Sequence, residues 1–170
     1  MAFNGKENSR DEMQMLTFSL DNVLYGVNVS QVREVKNFEG VTAVPYAPAY
    51  VKGVTNLRGE VIPVIDLRKR FGMEVGKNEN SNIMIIVQDK HPVGIMVDSV
   101  MEVLTVPKTD IDQNTSSLIV DKSEAVLGVA KHEKDLIILL DLIKVATKDG
   151  LKLGEDTQGF QISAQKEVPP

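Results

Sequence analysis

Val51–Leu67 reads VKGVTNLRGEVIPVIDL, and Val126–Leu142 reads VLGVAKHEKDLIILLDL, with Val, Gly, Val, Ile, Asp and Leu standing in register across the two. Tyr25–Val35, YGVNVSQVREV, returns in the same way as Val93–Val103, VGIMVDSVMEV, so that Gly26, Val29, Val32, Glu34 and Val35 reappear as Gly94, Val97, Val100, Glu102 and Val103. The offset is 68 residues for the earlier pair (Gly26 to Gly94) and 75 for the later one (Gly53 to Gly128), so one segment between them has grown. A small unit is therefore present twice, in one order. Two similar but non-identical surfaces suit a coupler between partners better than a single catalytic cleft.

The alternation of apolar, often β-branched residues predicts short strands at Met15–Leu20, Val23–Val29, Gly53–Asn56, Val61–Ile65, Ile83–Val87, Val93–Val97, Leu127–Ala130 and Leu136–Leu140. Asp21-Asn22, Arg58-Gly59 and Asp89-Lys90-His91-Pro92 read as turns, the last because proline cannot join a central ladder. Asp66 and Asp141 each follow an apolar run and precede a short helical pattern, where a carboxylate caps free N–H groups. Val44–Ala49, VPYAPA, is expected to be a rigid surface turn, and the longer stretch Thr105–Glu124 occupies the matching place in the second copy. At least one of Val32 and Val35 should belong to the core, on a strand after a turn at Ser30.

Composition narrows the function. The 170 residues suffice for one ordinary domain or two small units sharing a core, and the absence of cysteine removes disulfide and thiolate chemistry. The first residues, MAFNGKENSRDEMQ, contain no apolar signal core, and no apolar run is long enough to span a bilayer as a helix, so the expected location is the cytoplasm. A net charge of −5 and eight aromatic residues, without a basic run, argue against a nucleic-acid partner. His91 and His132 lie in different copies without spacing partners, which disfavours a metal site. No G-x-S-x-G, Walker or dinucleotide-binding glycine pattern occurs, and an enzyme is not the first expectation. The copies differ most at one hairpin tip, where Asn56-Leu57-Arg58-Gly59 became Lys131-His132-Glu133-Lys134. Arg58 there reads either as part of a soluble turn or as a hot spot for a protein partner.

These strings, and above all N-L-R-G-x-V-I-P-V-I-D-L at Asn56–Leu67, resemble the CheW family of bacterial and archaeal chemotaxis coupling proteins from about Met15 to Val145. The resemblance implies a mainly β fold of two SH3-like five-stranded β-barrels in one compact CheW-like domain, with short helices. The domain is expected at 13–152, with copies at about 15–72 and 82–147, between a disordered N-terminal tail at 1–12 and a flexible C-terminal tail at 153–170. It implies no catalysis and no cofactor. The implied partners are the cytoplasmic hairpin of methyl-accepting chemotaxis receptors and the regulatory domain of the histidine kinase CheA, with recruitment to membrane receptor arrays but no insertion into the membrane.

Mapped by resemblance, receptor contacts fall on Val32, Glu34, Val35, Gly53, Asn56 and Arg58, in a groove between the barrels. Gly53 is expected to permit close backbone approach. Arg58 either orients the receptor or braces the groove. Kinase contacts map by position onto Val100, Glu102, Val103, Asp112 and Ser116. The sequence departs from its relatives at Asp112-Gln113-Asn114-Thr115-Ser116, where a base and an aromatic are usual. Two other readings remain: a regulatory module of a larger kinase or receiver-fused coupler, and a barrel pair that binds small ligands or nucleic acid.

Overall fold

The computed structural model describes residues 11–74, 80–113 and 125–147. Among the described residues eleven strands carry the fold: β1 (Glu12–Leu20), β2 (Val23–Asn28), β3 (Val32–Asn37), β4 (Val51–Leu57), β5 (Glu60–Asp66), β6 (Asn82–Gln88), β7 (His91–Val97), β8 (Ser99–Pro107), β9 (Ile111–Asp112), β10 (Val126–His132) and β11 (Asp135–Leu140). Two short helices, α1 (Leu67–Arg70) and α2 (Leu142–Thr147), follow β5 and β11. The strands form a five-stranded sheet, β3-β6-β7-β5-β4, and a six-stranded sheet, β8-β1-β2-β11-β10-β9. The sixth strand is β9, only two residues long, and it pairs Asp112 with Val129 where the other sheet has a single bridge, Thr42 with Val54.

The sheets do not follow the boundaries of the sequence copies. The β1–β2 hairpin leaves its own copy and joins the second sheet through a parallel pairing with β11, while β6–β7 joins the first sheet through a parallel pairing with β5. One barrel is thus the continuous stretch from β3 to β7, and the other is assembled from both ends of that stretch. Each exchange point is pinned to a helix. The Gln31 amide donates to Asp141 Oδ1 at 3.0 Å and accepts from Leu142 N at 3.1 Å, which holds the start of α2. At the other exchange point Arg68 of α1 makes a bidentate ion pair with Asp98 and reaches Asp21 on the β1–β2 turn at 3.0 Å.

Strand alternation divides the apolar residues between three cores. On β6, Met84 and Ile86 face a core shared by both sheets, whereas Ile83 and Ile85 face the interior of the first barrel. On β1, Leu16, Phe18 and Leu20 face the shared core and Met15 faces the interior of the second barrel. Burial on both faces explains why Ile83–Val87 reads as an unbroken apolar run. Gly26 and Gly94 repeat because a Cβ would sit 2.9 Å from Met15 Sδ in one barrel and 2.8 Å from Ile83 Cγ2 in the other. Asp66 accepts from Arg68 N and Lys69 N, and Asp141 accepts from Ile143 N and Lys144 N, as the capping pattern required.

Several expectations need correction. β7 begins at His91 and includes Pro92, which pairs with Val87. β5 runs beside β7 only from Gly94 to Met96, so at Pro92 the strand has an open side for a residue without an N–H. β3 is the strand expected after Ser30, but β8 was absent from the strand pattern; a bulge interrupts the pairing of each, between Val32 and Glu34 and opposite Leu16 and Phe18. β1 opens at Glu12, inside the expected N-terminal tail, and pairs there with Pro107. Residues 1–10 of that tail, most of the inserted stretch and the C-terminal tail at 153–170 lie outside the described residues.

Two measurements test this packing. Gly53→Ala should cost at least about 2 kcal/mol in urea unfolding with an unchanged m-value, because its Cβ would lie 2.3 Å from Thr42 O. The second concerns acid. Burial tends to raise the pKa of Asp98, but the Arg68 hydrogen bond, the Asp21 backbone N–H and the Arg68 charge outweigh it and hold the carboxyl below its ordinary value. Its stabilising contribution is therefore complete above the unfolded aspartate pKa, about 3.9, and disappears as pH falls through the lower folded value. Asp98→Asn should lower stability at pH 7 and flatten the loss of stability below about pH 4 in acid titrations followed by circular dichroism.

Candidate functional site

The duplicated bulged strands β3 and β8 face one another across the molecule and enclose a groove of about 520 Å³. Val35 and Lys36 form one wall, and Val100, Met101, Glu102 and Val103 form the other. Leu16 and Asn82 contribute to the lining between them. Asn82 fixes the spacing: its Oδ1 accepts from Val100 N at 2.8 Å and its Nδ2 donates to Asn37 Oδ1 at 3.2 Å. The bulge on the β8 side leaves Glu102 backbone groups without a ladder partner, and the Thr17 hydroxyl serves both, donating to Glu102 O at 2.8 Å and accepting from Glu102 N at 3.2 Å. Val35 and Val103 are the same repeat position, so the groove lies between equivalent edges of the two copies.

The residues expected to meet a receptor divide by depth. Val32 is 3% exposed and belongs to the shared core. Gly53 is buried against the Thr42 carbonyl, as Gly128 is against that of Asp112, so its role in the fold is the close backbone approach. Val35 is partly buried and faces the groove. Asn56 and Arg58 sit on the β4–β5 hairpin, whose tip has Arg58 at φ 52° and Gly59 at φ 86°. Asn56 Oδ1 closes this turn by accepting from Gly59 N at 2.8 Å.

Arg58 both braces and projects. Its Nη2 lies 2.6 Å from Glu34 Oε2, yet two-thirds of its side chain remains exposed, against 11% for Glu34. The pair ties the tip of the β4–β5 hairpin to β3, across the gap between the two edge strands of the first sheet. The second copy has Glu133 at the position of Arg58, with a similar φ of 54°, so the backbone of the tip was kept while its charge was inverted.

The residues expected to meet a kinase are separated by the structure. Val100, Glu102 and Val103 line the same groove as Val35. Asp112 lies elsewhere, in a polar cavity of about 630 Å³ with Lys108, Asp110 and Lys131. Ser116 lies outside the described residues. Lys36, Asn82 and Met101 were not anticipated. For Met101 the sequence did carry a signal, since its counterpart in the first copy is the charged Arg33.

Among the described residues no three potential metal ligands cluster, and no helix is long and apolar enough to cross a membrane. The chemistry this surface offers is recognition: an apolar groove with Lys36 and Glu102 on opposite walls, and a guanidinium held in place at the hairpin tip. Two such sheets with a groove between equivalent edges define a β protein built for recognition, and comparison with known proteins supplies the family. The CheW-like domain profile matches residues 14–149, and the chain belongs to that family. It is 31% identical over 141 residues to the chemotaxis protein CheW of Klebsiella aerogenes, covering 82% of this chain and 85% of the relative. It is 36% identical over 134 residues to CheW of Rhizobium meliloti, covering 78% and 86%. The crystal structure of the scaffolding protein TtCheW from Thermoanaerobacter tengcongensis superposes with a TM-score of 0.75 at 34% identity, covering 84% of this chain and 97% of that one.

The Glu34–Arg58 pair can be tested by a double-mutant cycle in urea. Arg58→Ala should lower stability by no more than about 1 kcal/mol, and by less in a Glu34→Gln background, where no carboxylate is left without its cation.

Proposed function

We propose that the chain is a chemotaxis adaptor that couples methyl-accepting receptors to the histidine kinase CheA in cytoplasmic arrays beneath the membrane. The observation that carries this reading is the groove itself. Val35, Val100, Met101 and Val103 give an apolar lining on two walls, which suits the apolar face of a helix from a receptor hairpin. Arg58 and Asn56, on the adjoining hairpin, add a preoriented donor group that contacts the receptor beside the groove.

Because Val100, Glu102 and Val103 share the groove with Val35, they are assigned here to the receptor rather than to the kinase. The kinase regulatory domain is assigned to the second barrel, on the face that carries Asp112 and leads toward Ser116. Adaptor function requires no turnover and no cofactor. Affinity for two partners at once is the output.

Pull-down and calorimetry with a receptor hairpin and, separately, the CheA regulatory domain test the assignment. Val35→Asp and Val103→Asp should each weaken receptor binding by at least about tenfold, equivalent to about 1.4 kcal/mol, while kinase binding persists. Arg58→Glu should weaken receptor binding with the fold retained. Wild-type binding by all three variants, or no binding by the parent chain at tens of micromolar, refutes the proposal.

A further inference from the structure

Met101 is the most exposed methionine among the described residues, at 58%, and it stands in the wall of the groove. Met15, Met84 and Met96 are 2% exposed or less, and Met13 and Met73 pack partly buried against the cores. The equivalent position in the first copy is Arg33, exposed and charged. The fold therefore makes no demand for an apolar side chain at this place on the bulged strand. An exposed thioether supplies a polarizable, adaptable surface for a partner. Among the described methionines it is also the one most open to a dissolved oxidant.

We propose that Met101 is a reversible oxidation site through which hydroperoxides weaken docking in the groove; the inference rests on the receptor reading given above. The sulfur lone pair attacks one peroxide oxygen, the S–O bond forms and the O–O bond breaks. Sulfur is oxidised by two electrons to the sulfoxide, and the hydroperoxide is reduced to an alcohol, or to water from hydrogen peroxide. The departing oxygen takes up the proton left by the transferred one. The product places a polar oxygen beside Val100 and Val103, and docking must then strip it of water against an apolar helix face. Methionine sulfoxide reductase reverses the change by consuming a dithiol and releasing a disulfide and water.

The experiment treats the full chain with hydrogen peroxide, locates sulfoxide by peptide mass spectrometry and measures affinity for a receptor hairpin before and after. Met101 should oxidise ahead of Met15, Met84 and Met96. Affinity should fall about tenfold, a loss of about 1.4 kcal/mol, and should return after reductase treatment. Met101→Leu, whatever its own untreated affinity, should keep that affinity through the same treatment. Undiminished binding with Met101 fully oxidised overturns the inference and leaves the receptor reading standing. Equal loss in Met101→Leu, or Met101 reacting no faster than the buried methionines, overturns it as well. Failure of the untreated chain to bind the hairpin removes the receptor reading, and this inference with it.

Discussion

The apolar layer that both sheets share holds the molecule together, because neither barrel can bury its outward strand faces alone. Leu16, Phe18, Leu20 and Val27 from one sheet meet Met84, Ile86, Val93 and Ile95 from the other, and all are 1% exposed or less. Residues of this size contribute about 1.5–3 kcal/mol each on burial, so the layer outweighs any single polar contact in the structure. It forms only if each hairpin has crossed to the sheet of the other copy. The parallel pairings of β2 with β11 and β5 with β7 are the backbone expression of that exchange.

The same layer explains why the groove is where it is. β3 and β8 are edge strands of their sheets, and the exchange brings these two equivalent edges together on one side of the molecule. Edges with unpaired backbone invite unwanted pairing. Here a bulge in the pairing of each edge, together with the Thr17 hydroxyl and the Asn82 amide, consumes backbone or side-chain groups that would otherwise be free. What remains open is the side-chain surface, with valines from the two copies opposed.

Much of this was legible in the chain. The two aspartates marked helix starts, and Asp21-Asn22 and Arg58-Gly59 marked hairpin turns, since each signal depends on neighbours within a few residues. Pairing across more than a hundred residues was not legible: the pattern of β2 says that it is a strand, but nothing in it names β11 as its neighbour. The bulge opposite Leu16 and Phe18 hid β8 by interrupting the period of two. At the site, Val32 and Val35 were candidates alike with at least one of them expected in the core, and Val32 proved to be that one. Val35 and Val103 were mapped to different partners by treating the copies as separate units, whereas the exchange brings both to one groove.

The pinned exchange points have a mechanical consequence. Gln31 grips the start of α2, and Arg68 grips Asp98 and Asp21, so both places where the chain passes between barrels are tied down. Swivelling one barrel on the other would have to open the shared apolar layer and break these ties. Such a body keeps its two ends at a fixed distance and angle, as a strut does.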